Sequence, residues 1–284
     1  MNNLFFAAAP ETGAVSCSSH RGPKSIEPDL FADMAPVLAD LAETGAGAVS
    51  LGGSRAKKRS DSQSDYDFRV YAKAFKGPEL EQTSAWGRFE EVWRLWEARG
   101  LRIDGVWWRE YGSVQRKLDA WMSGTAVADP YVWTIWGYHL PTDLAHQIII
   151  TDPDGILTGW KAQLSTYPEA LRKSIIAKHL PVLRYWAADY HYASKVQCGD
   201  AVFLAGLTAK LVQAILQIIF ALNRTYYPGD GWNLAIADGF ATLPRSFGAR
   251  MAAILQPCND SNSVQRQRAE LIAIISELEV LVVE

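Results

Sequence analysis

Apolar residues fall at helical spacing over residues 28–44, where Leu30, Phe31, Met34, Val37, Leu38 and Leu41 share one side. Pro28 suits a first turn and Gly45 ends the pattern. The period then changes. Residues 48–51 read as a short strand, closed by Gly52-Gly53-Ser54. Asp65-Tyr66-Asp67-Phe68-Arg69-Val70-Tyr71 alternates polar and apolar, as a strand with one buried face does. Helical spacing returns over 86–98, with Trp86, Phe89, Trp93 and Trp96 on one side and Gly100 beyond them. Leu101 to Trp108 reads as a strand, and 113–122 and 130–138 as short helices. His146 to Thr151 reads as a last strand before the turn Asp152-Pro153-Asp154-Gly155.

Beyond residue 156 no strand period remains. Helices are predicted over 168–196, 200–223, 232–253 and 263–282, with Pro181 kinking or splitting the first. The polar stretch 259–263 reads as a loop. The chain is thus expected to be α+β, in three parts. Residues 1–26 form a loosely ordered lead-in, 27–155 an α/β domain and 156–284 a helical bundle. Ala201 to Leu222 is long enough to span a bilayer. Yet Lys210, Gln213, Gln217 and Arg224 follow one another at steps of 3, 4 and 7 and so share one face. A single polar stripe on an apolar helix fits the middle of a bundle, and no membrane partner is expected.

Composition narrows the function classes. With 284 residues, 49% hydrophobic and 21% charged, the chain can bury a core without staples. Lys and Arg total 28 against 31 Asp and Glu, a formal charge of −3, which disfavours a nucleic-acid backbone as main partner. Cys17, Cys198 and Cys258 are odd in number and far apart, so neither a disulfide framework nor a structural zinc site is expected. A reducing, cytoplasmic compartment follows. The apolar run Leu4 to Ala9 lacks a basic flank and is too short for a signal-peptide core. His20, His139, His146, His179 and His191 show no metal spacing.

The chemistry concentrates between Leu51 and Phe68. Gly52 and Gly53 leave the strand end bare, so a ligand can approach the backbone. Ser54 stands where a helix can begin, and a helix start suits a phosphate. Asp65 and Asp67 are two apart on a strand, which puts both carboxylates on one face about 6–7 Å apart. Like charges so placed favour a cation between them, and Mg²⁺ takes one or two carboxylates plus phosphate oxygens. Asp104, on the next strand, brings a third acid if the two strands are neighbours. That set suits phosphoryl or nucleotidyl transfer with two metal ions.

Leu51-Gly52-Gly53-Ser54, ten residues, then Asp65-Tyr66-Asp67-Phe68 resembles the polymerase-β-like nucleotidyltransferase superfamily, whose third acid lies on a later strand. The layout is similar to its small-molecule branch, the aminoglycoside- and lincosamide-modifying enzymes, in which a helical bundle follows the α/β domain. The segment Asn223-Arg224-Thr225-Tyr226-Tyr227-Pro228 resembles a recurrent loop of largely uncharacterised bacterial members. Those members usually carry Lys before the Trp, where this chain has Gly231. The resemblance implies a mixed sheet and an Mg²⁺-dependent nucleotidyltransferase. It would move a nucleoside monophosphate, AMP from ATP first of all, to a hydroxyl of a small acceptor and release pyrophosphate. Asp65, Asp67 and Asp104 would bind two Mg²⁺ ions, and Asp104 would also help deprotonate the acceptor. Gly52, Gly53, Ser54 and Arg55 would hold the nucleotide phosphates, and Lys210 would add a bundle cation.

Two rivals stand beside this reading. The basic run Arg55, Lys57, Lys58 and Arg59 would suit a toxin-like nucleotidyltransferase acting on tRNA or a protein. A non-catalytic nucleotide-binding module would keep the fold alone. Most of the eleven tryptophans are expected in cores, with one or two free to line an acceptor pocket.

Overall fold

The computed structural model describes residues 31–77, 79–258 and 260–283. The expected lead-in over 1–26 lies outside them. The chain is α+β, with a four-stranded mixed sheet and predominantly helical structure elsewhere among the described residues.

Two compact units divide the described residues. One takes the chain up to Leu118 together with Asp143–Thr166, and the other takes Asp119–Thr142 and Tyr167 onward. A single cut after residue 155 therefore differs from the observed division. Residues 119–142 cluster with the helical unit, and 156–166 with the sheet unit.

The sheet unit opens with α1 (Met34–Ala39), followed by β1 (Ala48–Leu51), the one-turn α2 (Gly53–Ala56) and β2 (Tyr66–Ala72). Then come α3 (Ser84–Ala98), β3 (Ile103–Glu110), α4 (Tyr111–Met122) as far as Leu118, α5 (Leu140–His146) from Asp143, β4 (Ile148–Thr151) and α6 (Ile156–Leu164). The strand order is β3-β2-β1-β4. β1 pairs antiparallel with β2 and with β4, and β2 pairs parallel with β3. Parallel neighbours need a crossover, and α3 supplies it.

Alternation along β2 sorts the two faces. Tyr66, Phe68 and Val70 are buried against Phe31, Met34, Leu38, Phe89 and Trp96 of the segment entering α1, α1 itself and α3. Thr83 caps α3 by accepting from the Trp86 amide at 3.2 Å, and Gly100, at φ 75°, ends it. Trp86 and Trp96 are buried as expected, and Trp93 packs half-buried beside them. Asp67, Arg69 and Tyr71 point to the other face.

The helical unit contains α7 (Glu169–Ala188), α8 (Tyr190–Cys198), α9 (Ala201–Leu222), α10 (Asn233–Ala237), α11 (Phe247–Ile254) and α12 (Ser261–Val283). α9 is its axis. It is the one described helix long and apolar enough to cross a membrane, yet most of its residues are buried among the other helices of the unit.

Three expectations are corrected. The helix expected over 168–196 breaks at Asp189, not at Pro181, because Asp189 turns extended and its side chain caps α8 through the His191 amide at 2.7 Å. The helix expected over 232–253 is interrupted between α10 and α11, where Pro244 lacks an amide and Asn223 ties down Thr242 with two hydrogen bonds. Residues 130–138 form turns and one bridge, Asp129 to Tyr138. There the Ile135 and Trp136 amides donate to the Asp230 carboxylate, at 2.8 and 2.9 Å, rather than to a helix.

Candidate active site

β1 delivers the Gly-Gly-Ser turn directly beside β2. The Gly52 amide donates to the Asp67 carbonyl at 2.8 Å. Gly53 has φ 62°, a left-handed backbone that favours glycine. A Cβ built on Gly53 would lie 1.7 Å from Asp67 Oδ2. The turn and the acid thus occupy one close-packed spot, and only a residue without a side chain fits there. Gly52 is less constrained: its backbone is extended, and its Cβ would meet the Arg69 guanidinium carbon at 3.1 Å.

Asp104 joins this spot through the sheet. Tyr66 stands opposite Ile103, but Asp67 stands opposite Gly105, so Asp104 is an extra residue at a register shift. Gly105, at φ 139°, takes up the irregular backbone. Charge coupling reports the outcome. Burial raises the Asp67 carboxyl above the usual carboxylate range; Arg69 opposes that, while Asp65, Asp143 and Asp104 add to it. Burial and the Asp65 charge likewise raise Asp104, against Arg69 and Arg102. The three acids read from the sequence therefore share one electrostatic neighbourhood.

Arg55, expected beside the phosphates, is engaged within its own loop. Its Nε donates to the Asp65 carbonyl at 2.8 Å, its Nη2 donates to the Ser64 carbonyl, and its guanidinium lies over the Tyr66 ring at 3.9 Å. It closes the loop from α2 to β2 and sets where Asp65 stands. Asp61 tightens the same loop by accepting from the Gln63 amide and the Ser64 hydroxyl, both at 2.9 Å. Ser54 is half-buried in α2. Lys210 is exposed on α9, in the helical unit, so the sheet unit by itself does not bring it to the acids.

Sequence reasoning missed the supports behind Asp67. Arg69 Nη1 lies 3.7 Å from Asp67 Oδ1, and Arg69 Nε lies 3.5 Å from Asp143 Oδ2. Asp143 sits on α5 and accepts from Gln147 Nε2 at 2.8 Å. Gln147 Oε1 in turn accepts from the Ser50 hydroxyl at 2.7 Å and lies 3.1 Å from the Tyr71 hydroxyl. Ser50, Tyr71, Asp143 and Gln147 are all buried, so a closed polar network runs from β1 and β2 through α5 to the back of Asp67. Lys161 holds the end of α5 by donating to the Ala145 and Gln147 carbonyls at 2.7 and 2.8 Å. The signal for α5 was present: Pro141 in a first turn, an acid after it, and Leu140 and Leu144 four apart.

The donor set was tested against Mg²⁺. Among the described residues no three His, Cys, Asp or Glu side chains stand together as a ready metal cage. Mg²⁺ does not need one, because it keeps waters and takes substrate phosphate oxygens alongside one or two carboxylates. Hard carboxylate oxygens fit that requirement, and Asp65, Asp67 and Asp104 offer them: the Asp65 and Asp104 charges raise the Asp67 carboxyl, and the Asp65 charge raises Asp104.

Comparisons with known proteins add the following. The family model described as a domain of unknown function, DUF4037, matches residues 142–233, less than half of the chain. That stretch begins within α5 and excludes Gly52, Gly53, Asp65, Asp67 and Asp104. A solved structure of a nucleotidyltransferase-like protein from Exiguobacterium sibiricum 255-15 is similar at 12% identity and a TM-score of 0.42, over 82% of this chain and 68% of that one. No curated protein matches the chain.

Proposed function

We propose that the sheet unit transfers a nucleoside monophosphate, AMP from ATP first of all, to a hydroxyl of a small-molecule acceptor. The observation that carries this reading is the packing of Asp67 into the space above Gly53, with Asp104 added at the β2–β3 register shift. The turn after β1 and the acids that it packs against thus lie together where the end of β1 meets the start of β2. When bound, Mg²⁺ supplies the positive charge that the triphosphate and the departing pyrophosphate require. Asp65 and Asp67 hold it, and Asp104 completes the set.

The remaining steps belong to the chain. Gly53 and Ser54 meet the β- and γ-phosphates with backbone amides and a hydroxyl. The acceptor oxygen bonds to the α-phosphorus, the α–β bridging P–O bond breaks, and pyrophosphate leaves. Asp104, whose proton affinity burial has raised, takes the acceptor's proton. Arg69 positions Asp67, and Asp143 positions Arg69. The net charge of −3 favours a small acceptor over an RNA backbone.

The test is label transfer. Each α-labelled NTP is incubated with the protein and Mg²⁺, and with an aminoglycoside panel, total RNA or no acceptor. Label should move to a small molecule and fall about 100-fold or more in Asp67→Asn. Label on RNA or on the protein itself would overturn the small-acceptor reading. Transfer undiminished in Asp67→Asn would overturn the site.

A further inference from the structure

Of the three acids Asp65, Asp67 and Asp104, Asp65 alone lies outside a strand. The pairing of β2 with β3 begins at Tyr66, so Asp65 stands one residue ahead of the ladder. Asp67 is fixed within β2, and its carbonyl accepts from the Gly52 amide at 2.8 Å. Asp65 is nevertheless near enough to Asp67 and Asp104 for its charge to raise both carboxyls. Its direction is set by something other than strand pairing.

Arg55 supplies that hold. Its Nε donates to the Asp65 carbonyl at 2.8 Å, and its Nη2 donates to the Ser64 carbonyl. Those two carbonyls belong to the peptide planes on either side of the Asp65 Cα. Peptide planes are rigid, and only φ and ψ of the residue between them are soft. One guanidinium gripping both planes therefore restrains both angles of Asp65, and with them the direction in which its side chain leaves the backbone. The guanidinium is itself seated. It lies over the Tyr66 ring at 3.9 Å, and that ring is buried and meets Trp96 edge-on at 5.1 Å. The Tyr66 amide donates to the Arg102 carbonyl at 2.8 Å, which ties the same spot to the residue before β3.

The grip needs a planar fork. A guanidinium holds several N–H donors in one fixed plane and stacks on aromatic rings, whereas an ammonium is a compact point charge. The positive charge of Arg55, taken alone, opposes a cation held by Asp65. Fork and charge thus act on cation affinity with opposite signs, and substitution separates them.

We propose that Arg55 is a positioning residue for the divalent cation: through its fork, and against the effect of its charge, it aims Asp65 at the ion that Asp67 also holds. The inference rests on the cation site proposed above, and it gives Arg55 a role that requires no contact with phosphate.

Mn²⁺ takes carboxylate and water oxygens as Mg²⁺ does, and its free ion gives an electron paramagnetic resonance signal. The experiment titrates Mn²⁺ into the nucleotide-free full chain and follows the loss of that signal. The variants are Arg55→Lys, Arg55→Gln and Asp67→Asn, each checked for folding by circular dichroism. The unaltered chain should bind Mn²⁺, and Asp67→Asn should bind it at least about 10-fold more weakly. Arg55→Lys keeps the charge and Arg55→Gln removes it, yet each should weaken binding about 10-fold, Arg55→Lys at least as much as Arg55→Gln. If either unfolds, Arg55→Met, which retains a long stem over the Tyr66 ring, takes its place and should weaken binding alike. A loss of global stability alone would leave the Mn²⁺ affinity of the folded chain unmoved. Affinity unchanged in a folded Arg55 variant, or raised in Arg55→Gln, would overturn the role of Arg55 and leave the cation site standing. Mn²⁺ that fails to bind the unaltered chain, or binds Asp67→Asn equally well, would overturn the cation site and this inference with it.

Discussion

Asp67 Oδ2 fills the position that a side chain on Gly53 would take, 1.7 Å from where its Cβ would stand. The glycine is therefore required twice, by its φ of 62° and by the carboxylate above it. One contact joins the turn after β1 to the acid on β2, and the phosphate-binding and metal-binding parts of the proposed site meet there.

Gly53→Ala should destabilise the fold by about 2–4 kcal/mol, of which the left-handed backbone accounts for about 1–2 kcal/mol. In an Asp67→Ala background only the backbone part should remain. Urea unfolding of the four proteins closes the cycle. Equal costs in both backgrounds would show that Gly53 and Asp67 are not coupled.

Gln147→Leu should cost about 2–4 kcal/mol, because it strips partners from buried Ser50, Tyr71 and Asp143 at once. Chemical denaturation measures the loss. Transfer activity should fall as well, since Asp143 then holds Arg69 less firmly behind Asp67. A variant of unchanged stability would mean that the network is not closed.

Much of the sheet unit was legible because strands with one buried face announce themselves. β1, β2 and β3 fall within two residues of their expected ends, and the alternation of Asp65, Asp67 and Arg69 with Tyr66, Phe68 and Val70 set the polar face. The place of Asp104 depended on a parallel β2–β3 pairing and a register shift, neither of which has a local signature. Arg55 looked like a phosphate ligand beside Ser54, yet carbonyls nine and ten residues on engage its guanidinium. Residues 130–138 failed as a helix because Asp230, some 95 positions away, takes two of their amides. Asp143 was missed because α5 is only seven residues long and its helical signal is correspondingly short.

Stability should fall in mild acid. The folded-state pKa of His139 is about 4, below its ordinary value of 6.5. Between those values the unfolded chain binds the proton and the folded chain does not. The contribution of His139 is therefore fully present above about pH 6.5 and is lost as pH falls through 4, to a total of about 3 kcal/mol. His179, also lowered to about 4 by burial, acts in the same direction. Thermal unfolding from pH 7 to 4 should show a shallower decline in His139→Gln than in the unaltered chain. Parallel curves would show that His139 is not the buried neutral group described.

The central claim is that Gly53, Asp65, Asp67 and Asp104 form one cation-dependent triphosphate site, and ATP binding tests it without knowledge of the acceptor. ATP should be titrated calorimetrically into the full chain with Mg²⁺ and with EDTA, and into Asp67→Asn and Asp104→Asn, each checked for folding by circular dichroism. Binding should require Mg²⁺ and weaken at least about 10-fold in Asp67→Asn. Binding that is absent, indifferent to Mg²⁺, or equal in both folded variants and the unaltered chain would contradict the account.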